Sequence, residues 1–556
     1  MDVVSWTLGN EDAYPQDLPI LIDATDPARC LSAGQVRSTV KKLIAGFRAA
    51  GVRPGHTIDV HIFNDILYPA IFLAIVGAGC RFAGSNPSYK ANELAHHFKT
   101  SDTKFVITRS AQLSTVLDAA GEADVPTSHI WVIDCDYSNG SGVQRFEDLL
   151  QYGERDWITI FDEETSKSTI ATLLSTSGTT GFPKMAARTH FAHISEATAI
   201  ASDNGKPYQV RRLLAAPFFH GFAMPLALLD CVRSGHKTYV MGRWNQEAAF
   251  KAFQDFQITE TAVTPPVILG LLLMPEDKRR ALKNLKLIWC GGACLDPMTQ
   301  NKALGMFAPE ARIVQVWGMT EGGWFTTFRH PESDSTGSVG RALAGLEVKV
   351  VDDAGRRLNE DGARGEILVK GPHIMKGYLG NAEATSDAFD AEGWLKTGDV
   401  GCCRQGKVYV VDRKKELIKT NGWQVAPAEL EAVLLRHPSI ADAGVVGVQP
   451  PGMTTEVPRA YIVLNKNQHF RHEIENYDLE DVEHKDDDRL QRHQRLDSAG
   501  SVSQDDIRTY LLTQLSSLKV SRCEVRPIEE IPKSASGKIL RKELRRIADE
   551  GVVLTE

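Results

Sequence analysis

The sequence predicts an α/β protein with mixed α+β subdomains. A large N-terminal domain of layered α/β sheets closes in a small β-rich subdomain, and a small C-terminal α+β domain follows. Three observations predict this. At 556 residues the chain exceeds what one hydrophobic core usually holds, so two or more domains are expected. Strand-like and helix-like apolar segments alternate along the first part of the chain, the pattern of layered sheets and helices. Beyond about residue 340 the texture turns to short strands separated by turn residues.

Taken in order, residues 32–51 read as a helix followed by a turn. Ser32 and Gln35 can form a capping box, and Val36, Val40, Leu43, Ile44 and Phe47 share one face before Gly51. A strand at 58–63 precedes an apolar run, Ile66 to Cys80, that contains Pro69, Gly77 and Gly79. That run falls short of the roughly 20 residues that span a bilayer and reads as a buried core helix. Strands follow at 104–108, 129–134, 213–219, 237–242, 259–266, 285–292 and 312–318. EVKVVDD, GEILVKG and KVYVVDR carry the β-rich subdomain, 340–411. A boundary at Val411–Arg413 separates a domain 1–411 from a domain 412–556. In the latter, Leu430, Val433 and Leu434 fall at helical spacing, GVVGV reads as a strand and DIRTYLLTQLSSL as a helix. Residues 466–504 are densely charged and read as a solvated insertion. The spacing of His469, His472, His484 and His493 within it matches no metal pattern.

Charged residues make up 24% of the chain and hydrophobic ones 42%, ordinary for a globular protein. Lys plus Arg total 63 against 71 for Asp plus Glu, and the net charge of −8 gives no electrostatic case for nucleic acid as a partner. The start lacks the basic-then-apolar pattern of a signal peptide, and VVLTE is not a peroxisomal type of ending. The nine cysteines form no CxxC repeat. The expectation is a cytoplasmic protein with reduced thiols and no membrane span.

The stretch Ser175–Met185, STSGTTGFPKM, combines two glycines, several hydroxyls and one lysine, the makings of a phosphate cradle. It is not a Walker loop, in which lysine directly follows glycine, because Phe182 and Pro183 stand between Gly181 and Lys184. Pro183 fixes φ and supplies no N–H, so a stiffened, hairpin-like loop is expected after the strand-like 172–174. The backbone and hydroxyls of Thr176, Ser177, Gly178, Thr179, Thr180 and Gly181, with Lys184, would wrap a polyphosphate such as ATP.

Downstream lie PFFHGF (217–222), QVWGMTEGG (315–323), GWLKTGD (393–399), VDRKKELIKTNGWQV (411–425) and PKSASGK (532–538). With the loop, and in this order, they make the chain resemble the adenylate-forming superfamily of acyl-CoA synthetases, luciferases and peptide-synthetase adenylation domains. The upstream GAGCRFAGSNPSYKANELAHHFKTSDTKFVIT makes it most similar to the 4-coumarate–CoA ligase-like branch. The resemblance runs from about residue 35 to 545, apart from the charged insertion. It implies that a carboxylic acid attacks the α-phosphorus of ATP, that pyrophosphate leaves, and that CoA then takes the acyl group, with Mg2+ assisting.

The same resemblance implies roles for particular residues. Glu321 matches the Mg2+-associated carboxylate and Thr320 an α-phosphate contact. Trp317 stands where the family usually has a tyrosine stacked on adenine, within the nucleotide-binding run Gln315, Val316, Trp317, Gly318 and Met319. Gly291, Gly292 and Ala293 border the other adenine face. Asp399 matches the carboxylate that grips the ribose, and Arg413 a further nucleotide contact. Lys538 matches the lysine that bridges the acyl carboxylate and the α-phosphate. Lys415 matches the hinge of a mobile C-terminal domain, and Lys419 and Gln424 the residues that hold the adenylate for thioester formation. Asn421, Gly422 and Trp423 match the loop that approaches CoA, and His220 the residue that gates the incoming thiol. Met185 departs from the glycine usual after the loop lysine, a change expected to stiffen the loop or slow its movement.

Amino-acid activators in this superfamily place Asp after the aromatic of the PFFHG-type motif; here His220 and Gly221 follow Phe219, so an amino-acid substrate is disfavoured. The acyl-pocket positions are Phe222, Leu226, Val316, Met319, Trp324 and Phe325, whose bulk and aromatic faces favour a compact ring acid of the benzoate, phenylacetate or cinnamate type. The alternatives are a medium-chain fatty acid, acyl transfer to a carrier-protein phosphopantetheine, a luciferase-like oxygenase and a non-catalytic nucleotide-binding protein.

Overall fold

The computed structural model describes residues 1–134, 142–176, 183–201, 206–276, 278–420, 423–450, 455–465, 469–471, 501–515, 517–520, 522–534 and 537–550. Contacts divide the chain into two compact units, one mainly Met1–Thr397 with Cys402–Val410, the other mainly Gly398–Gly401, Val411–Ser534 and Lys538–Glu556.

The first unit is a mixed α/β structure built on two large sheets. In an eight-stranded sheet, Thr57–His61, Arg81–Gly84, Thr103–Arg109 and Ile130–Ile133 run parallel. Ile170–Ser175 joins in parallel beside Arg81–Gly84, and Met185–Thr189 returns antiparallel to it. The helix Ala33–Ala49 carries the capping box of Ser32 and Gln35, and its apolar face, Val36, Val40, Leu43, Ile44 and Phe47, is fully buried. Every residue of the helix Tyr68–Gly77 is buried, so the apolar run forms core. Among the described residues no helix is long and apolar enough to cross a membrane.

A nine-stranded sheet sets Pro19–Asp23, Lys237–Val240, Arg211–Leu214, Glu260–Val263, Leu287–Gly291 and Arg312–Met319 in parallel. Gly323–Thr327 folds back antiparallel on the last of these. Parallel strands deliver their C-terminal ends to one edge of a sheet, where α/β proteins place ligands. Ser175, Gly291 and Met319 all end strands in this way.

Two expected strands stop three or more residues early. The strand expected at 213–219 ends at Leu214. Beyond it the Asn64 side chain takes over the backbone pairing: its Nδ2 donates to Ala216 O at 3.0 Å and its Oδ1 accepts from Phe218 N at 2.9 Å. The strand expected to 266 ends at Val263, because Pro265 and Pro266 open a helix, Pro265–Leu272; proline suits a first helical turn, where its missing N–H has no partner to lose.

The second unit packs the helices Pro427–Leu434 and Gln504–Gln514 on a three-stranded sheet of Ile440–Val448, Val457–Leu464 and Glu524–Pro527. Leu430, Val433 and Leu434 are buried there as helical spacing predicts. Parts of the charged segment 466–504, read as a solvated insertion, are structured. His469–Arg471 pairs in parallel with Ser501–Ser503, Val502 is buried, and Ser503 N-caps the following helix in a capping box with Asp506. Residues 472–500 lie outside the described residues.

Candidate active site

The phosphate-type loop springs from a closed hairpin. Thr176 N donates to Lys184 O at 2.9 Å, and Lys184 N donates to Thr176 Oγ1 at 3.2 Å. Ser177, Gly178, Thr179, Thr180 and Gly181 lie outside the described residues. Met185 pairs with Ser175 and is buried among Ala83, Leu173 and Ala187, so its side chain anchors the base of the hairpin. Lys184 Nζ stands 5.1 Å from the ring centroid of Tyr378, within cation–π range.

Glu321 sits in the tight turn between Arg312–Met319 and Gly323–Thr327 and is buried, beside the half-buried Thr320. Tyr378 OH donates to Glu321 Oε1 at 2.7 Å, and Met375 N donates to Glu321 O at 2.6 Å. Burial and then the Glu321 charge raise the Tyr378 phenol, which keeps it protonated as a donor. The Tyr378 side chain thus joins the turn carboxylate to the loop lysine. The close approach is steric as well: a Cβ on Gly318 would lie 2.0 Å from Gly323 O.

Around this turn the other nucleotide-type residues separate by role. Trp317 is buried, its ring edge-on to Phe325 at 5.1 Å. Gly292 adopts a left-handed φ of +89°, and Ala293 next to it is exposed. Gln315, expected to contact nucleotide, is buried and its amide is engaged with the backbone: Nε2 donates to Leu295 O and Oε1 accepts from Leu295 N, both at 2.9 Å. Its geometry makes it a brace for the 292–296 loop.

In the 217–222 stretch, His220 Nδ1 accepts from Phe222 N at 3.2 Å, which leaves any neutral-ring proton on Nε2. Phe222 stacks on Trp324 at 5.8 Å and 21°, and Trp324 Nε1 donates to Phe222 O at 2.9 Å. A Cβ on Gly291 would strike the Phe222 ring at 2.6 Å, so glycine there admits the aromatic. Behind these rings lies a cavity of about 300 Å3 walled by Leu226, Trp289, Trp324 and Phe328, with Lys206 and Arg212 on its polar side. Of the expected acyl-pocket residues only Leu226 and Trp324 border it; Phe222, Val316, Met319 and Phe325 do not. Trp324 and Phe325 are neighbours in a strand and go to different ring clusters, Trp324 to Phe222 and Trp289, Phe325 to Trp317.

In the second unit, buried Asp399 forms an ion pair with Arg413 Nε at 3.4 Å. Lys415 lies in the exposed turn after the strand Lys407–Arg413. Lys419 and Gln424 are register partners across the hairpin of Ile418–Thr420 and Trp423–Val425, whose tip residues Asn421 and Gly422 are outside the described set. Lys538 closes a loop: Ser534 N donates to Lys538 O at 2.8 Å and Lys538 N to Ser534 Oγ at 3.2 Å.

Sequence reasoning missed three residues. Tyr378 follows Gly377 in an unremarked GYLG. Arg188 and Glu196 form an ion pair at 2.8 Å beneath the Glu321 turn, with side chains 1% and 2% exposed. A charged residue in the short strand Met185–Thr189 was the available signal.

The AMP-binding enzyme model matches residues 10–379, and the AMP-binding enzyme C-terminal domain model matches 429–485. The chain belongs to the AMP-binding enzyme family. It is 36% identical to a phenylacetyl-CoA ligase of Aspergillus niger, over 99% of this chain and 97% of that protein. It is also 36% identical to an acyl-CoA ligase of Aspergillus niger, over 97% of each. Its fold matches the crystal structure of an anthranilate CoA ligase in complex with anthranoyl-AMP with a TM-score of 0.81 at 21% identity, covering 100% of this chain and 98% of that one.

Proposed function

We propose that this chain is an AMP-forming acid–CoA ligase acting on a compact aromatic acid. The observation that carries the reading is the match along nearly the whole chain to acyl-CoA ligases, a phenylacetyl-CoA ligase among them. The cavity walled by Trp289, Trp324 and Phe328 on one side and by Lys206, Arg212 and Arg329 on the other has room for a ring bearing a carboxylate: about 150 Å3 already holds benzene, and this cavity is about 300 Å3.

In this reading Lys184 and the 176–181 loop hold the polyphosphate, Thr320 donates to the α-phosphate, and Trp317 and the 291–293 loop bracket the adenine. Asp399 accepts from the ribose hydroxyls and Arg413 holds Asp399. Among the described residues no three His, Cys, Asp or Glu side chains gather to hold a metal. Glu321 still suits Mg2+, an ion that keeps several waters and needs only one or two carboxylates beside phosphate oxygens. When bound, it neutralises phosphate charge and lets a carboxylate approach. Lys538 adds positive charge between the acyl carboxylate and the α-phosphate as they join, the kind of preorganised electrostatic help that dominates such steps. Lys415 serves as the hinge toward the second step, in which Lys419 and Gln424 hold the adenylate, 421–423 receives CoA and His220 gates the thiol. Cofactors are then ATP, Mg2+ and CoA, with a cytoplasmic setting.

Purified protein tests this by CoA thioester formation from phenylacetate, benzoate and cinnamate. A ring-acid thioester with AMP and pyrophosphate as co-products is expected; failure with all three would reject the aromatic substrate, and failure with C6 to C12 fatty acids as well would reject the ligase.

A further inference from the structure

We infer that Arg188 and Glu196 are positioning residues that fix Glu321 relative to Lys184. The inference rests on the proposed role of Glu321. The strand Met185–Thr189 begins directly after Lys184 and carries Arg188; the helix His190–Ala201 carries Glu196. The two side chains pair at 2.8 Å in a fully buried site. From there they grip both flanks of the Glu321 turn. Arg188 Nη2 donates to Gly322 O at 3.4 Å and to His373 O at 3.2 Å, while Glu196 Oε1 accepts from Trp324 N at 2.8 Å.

The grip is tight. Gly323 has a left-handed φ of +71°, and a Cβ there would lie 2.2 Å from Glu196 Oε1. The segment held through His373 O leads to Met375 and Tyr378, whose backbone N and phenol bond Glu321. A single buried ion pair therefore ties together the strand that follows the loop lysine, the turn of the metal-type carboxylate and the segment that orients that carboxylate. Simple core packing would be served by two apolar side chains; a buried pair is kept here at the expense of leaving Arg188 Nε without a hydrogen-bond partner.

The test compares Glu196→Gln, Arg188→Met and the double variant. Losing one partner strands a buried charge and lowers stability, whereas losing both relieves it. The double variant therefore separates folding from positioning. Two readouts are taken beside thermal melting: the Mg2+ concentration for half-maximal pyrophosphate release, and the gain in affinity that Mg2+ gives α,β-methylene-ATP by calorimetry. The expected result is a double variant that melts near wild type while its half-maximal Mg2+ concentration rises at least fivefold. Its calorimetric Mg2+ gain should shrink by a similar factor. Wild-type Mg2+ behaviour in the well-folded double variant would overturn the inference. If wild-type protein releases no pyrophosphate with any acid, the ligase reading falls, and the calorimetric comparison alone still decides the positioning claim.

Discussion

Each unit sets one arginine against two carboxylates, and the two networks behave oppositely. In the large unit Arg212 pairs with Asp230 and with Glu260, both at 2.8 Å. Lys206 adds a second cation to Glu260 at 2.7 Å, and His236 stands 3.4 Å from Asp230. Burial pushes both carboxyls up, but the Arg212 charge and its neighbours outweigh it, so both lie below the usual range. In the small unit Arg541 pairs bidentately with Glu431 at 2.7 and 2.8 Å and faces Asp412 as well. There burial wins: Asp412 is raised, and Glu431 is pushed up to about 6. The ingredients match and the cation count differs. The large unit's two carboxyls stay ionised at physiological pH, whereas the small unit's are raised, Asp412 lying three residues before Lys415, the proposed hinge.

The comparison breaks most readily at Arg212. Arg212→Met takes the guanidinium from buried Asp230 and leaves Glu260 with Lys206 as its one cation; removing one partner of a buried pair costs about 3–5 kcal/mol. Urea unfolding should show that loss; a change under about 1 kcal/mol would mean that the acids neutralise or hydrate freely. Next in size, Lys538→Ala should remove at least about 3 kcal/mol of transition-state stabilisation, by analogy with lost oxyanion donors. Pyrophosphate release should fall at least about 100-fold with melting unchanged, while thioester formation from supplied acyl-adenylate persists. Retained pyrophosphate release would end the assignment of Lys538.

The smallest effect sharpens the contrast. A carboxyl raised on folding contributes stability below its unfolded pKa and loses it as pH rises through the folded value. For Glu431, from 4.5 to about 6, that is about 2 kcal/mol lost across this window. Glu431→Gln should flatten the small unit's stability profile between those pH values; an unaltered slope would place the titration elsewhere.

What the sequence made legible was local. The Ser32–Gln35 box, the helix faces and the closed base of the phosphate-type loop depend on residues a few positions apart. What it hid was long-range. Arg188 acts on Gly322 and His373, far along the chain, and nothing in its own neighbourhood announces them. Tyr378 meets Glu321 only because Gly377–Tyr378 pairs with Ala187 and Ala186. Gln315 sat in the right motif, yet its amide braces Leu295. Trp324 and Phe325 looked like one wall because sequence adjacency hides the alternation of strand faces.

The most direct measurement is pyrophosphate release across benzoate, phenylacetate, cinnamates, C6 to C12 fatty acids and amino acids, with and without CoA. CoA-dependent turnover peaking on a ring acid is the predicted result. Pyrophosphate release that CoA cannot convert into thioester, or a peak on amino acids, would contradict the account.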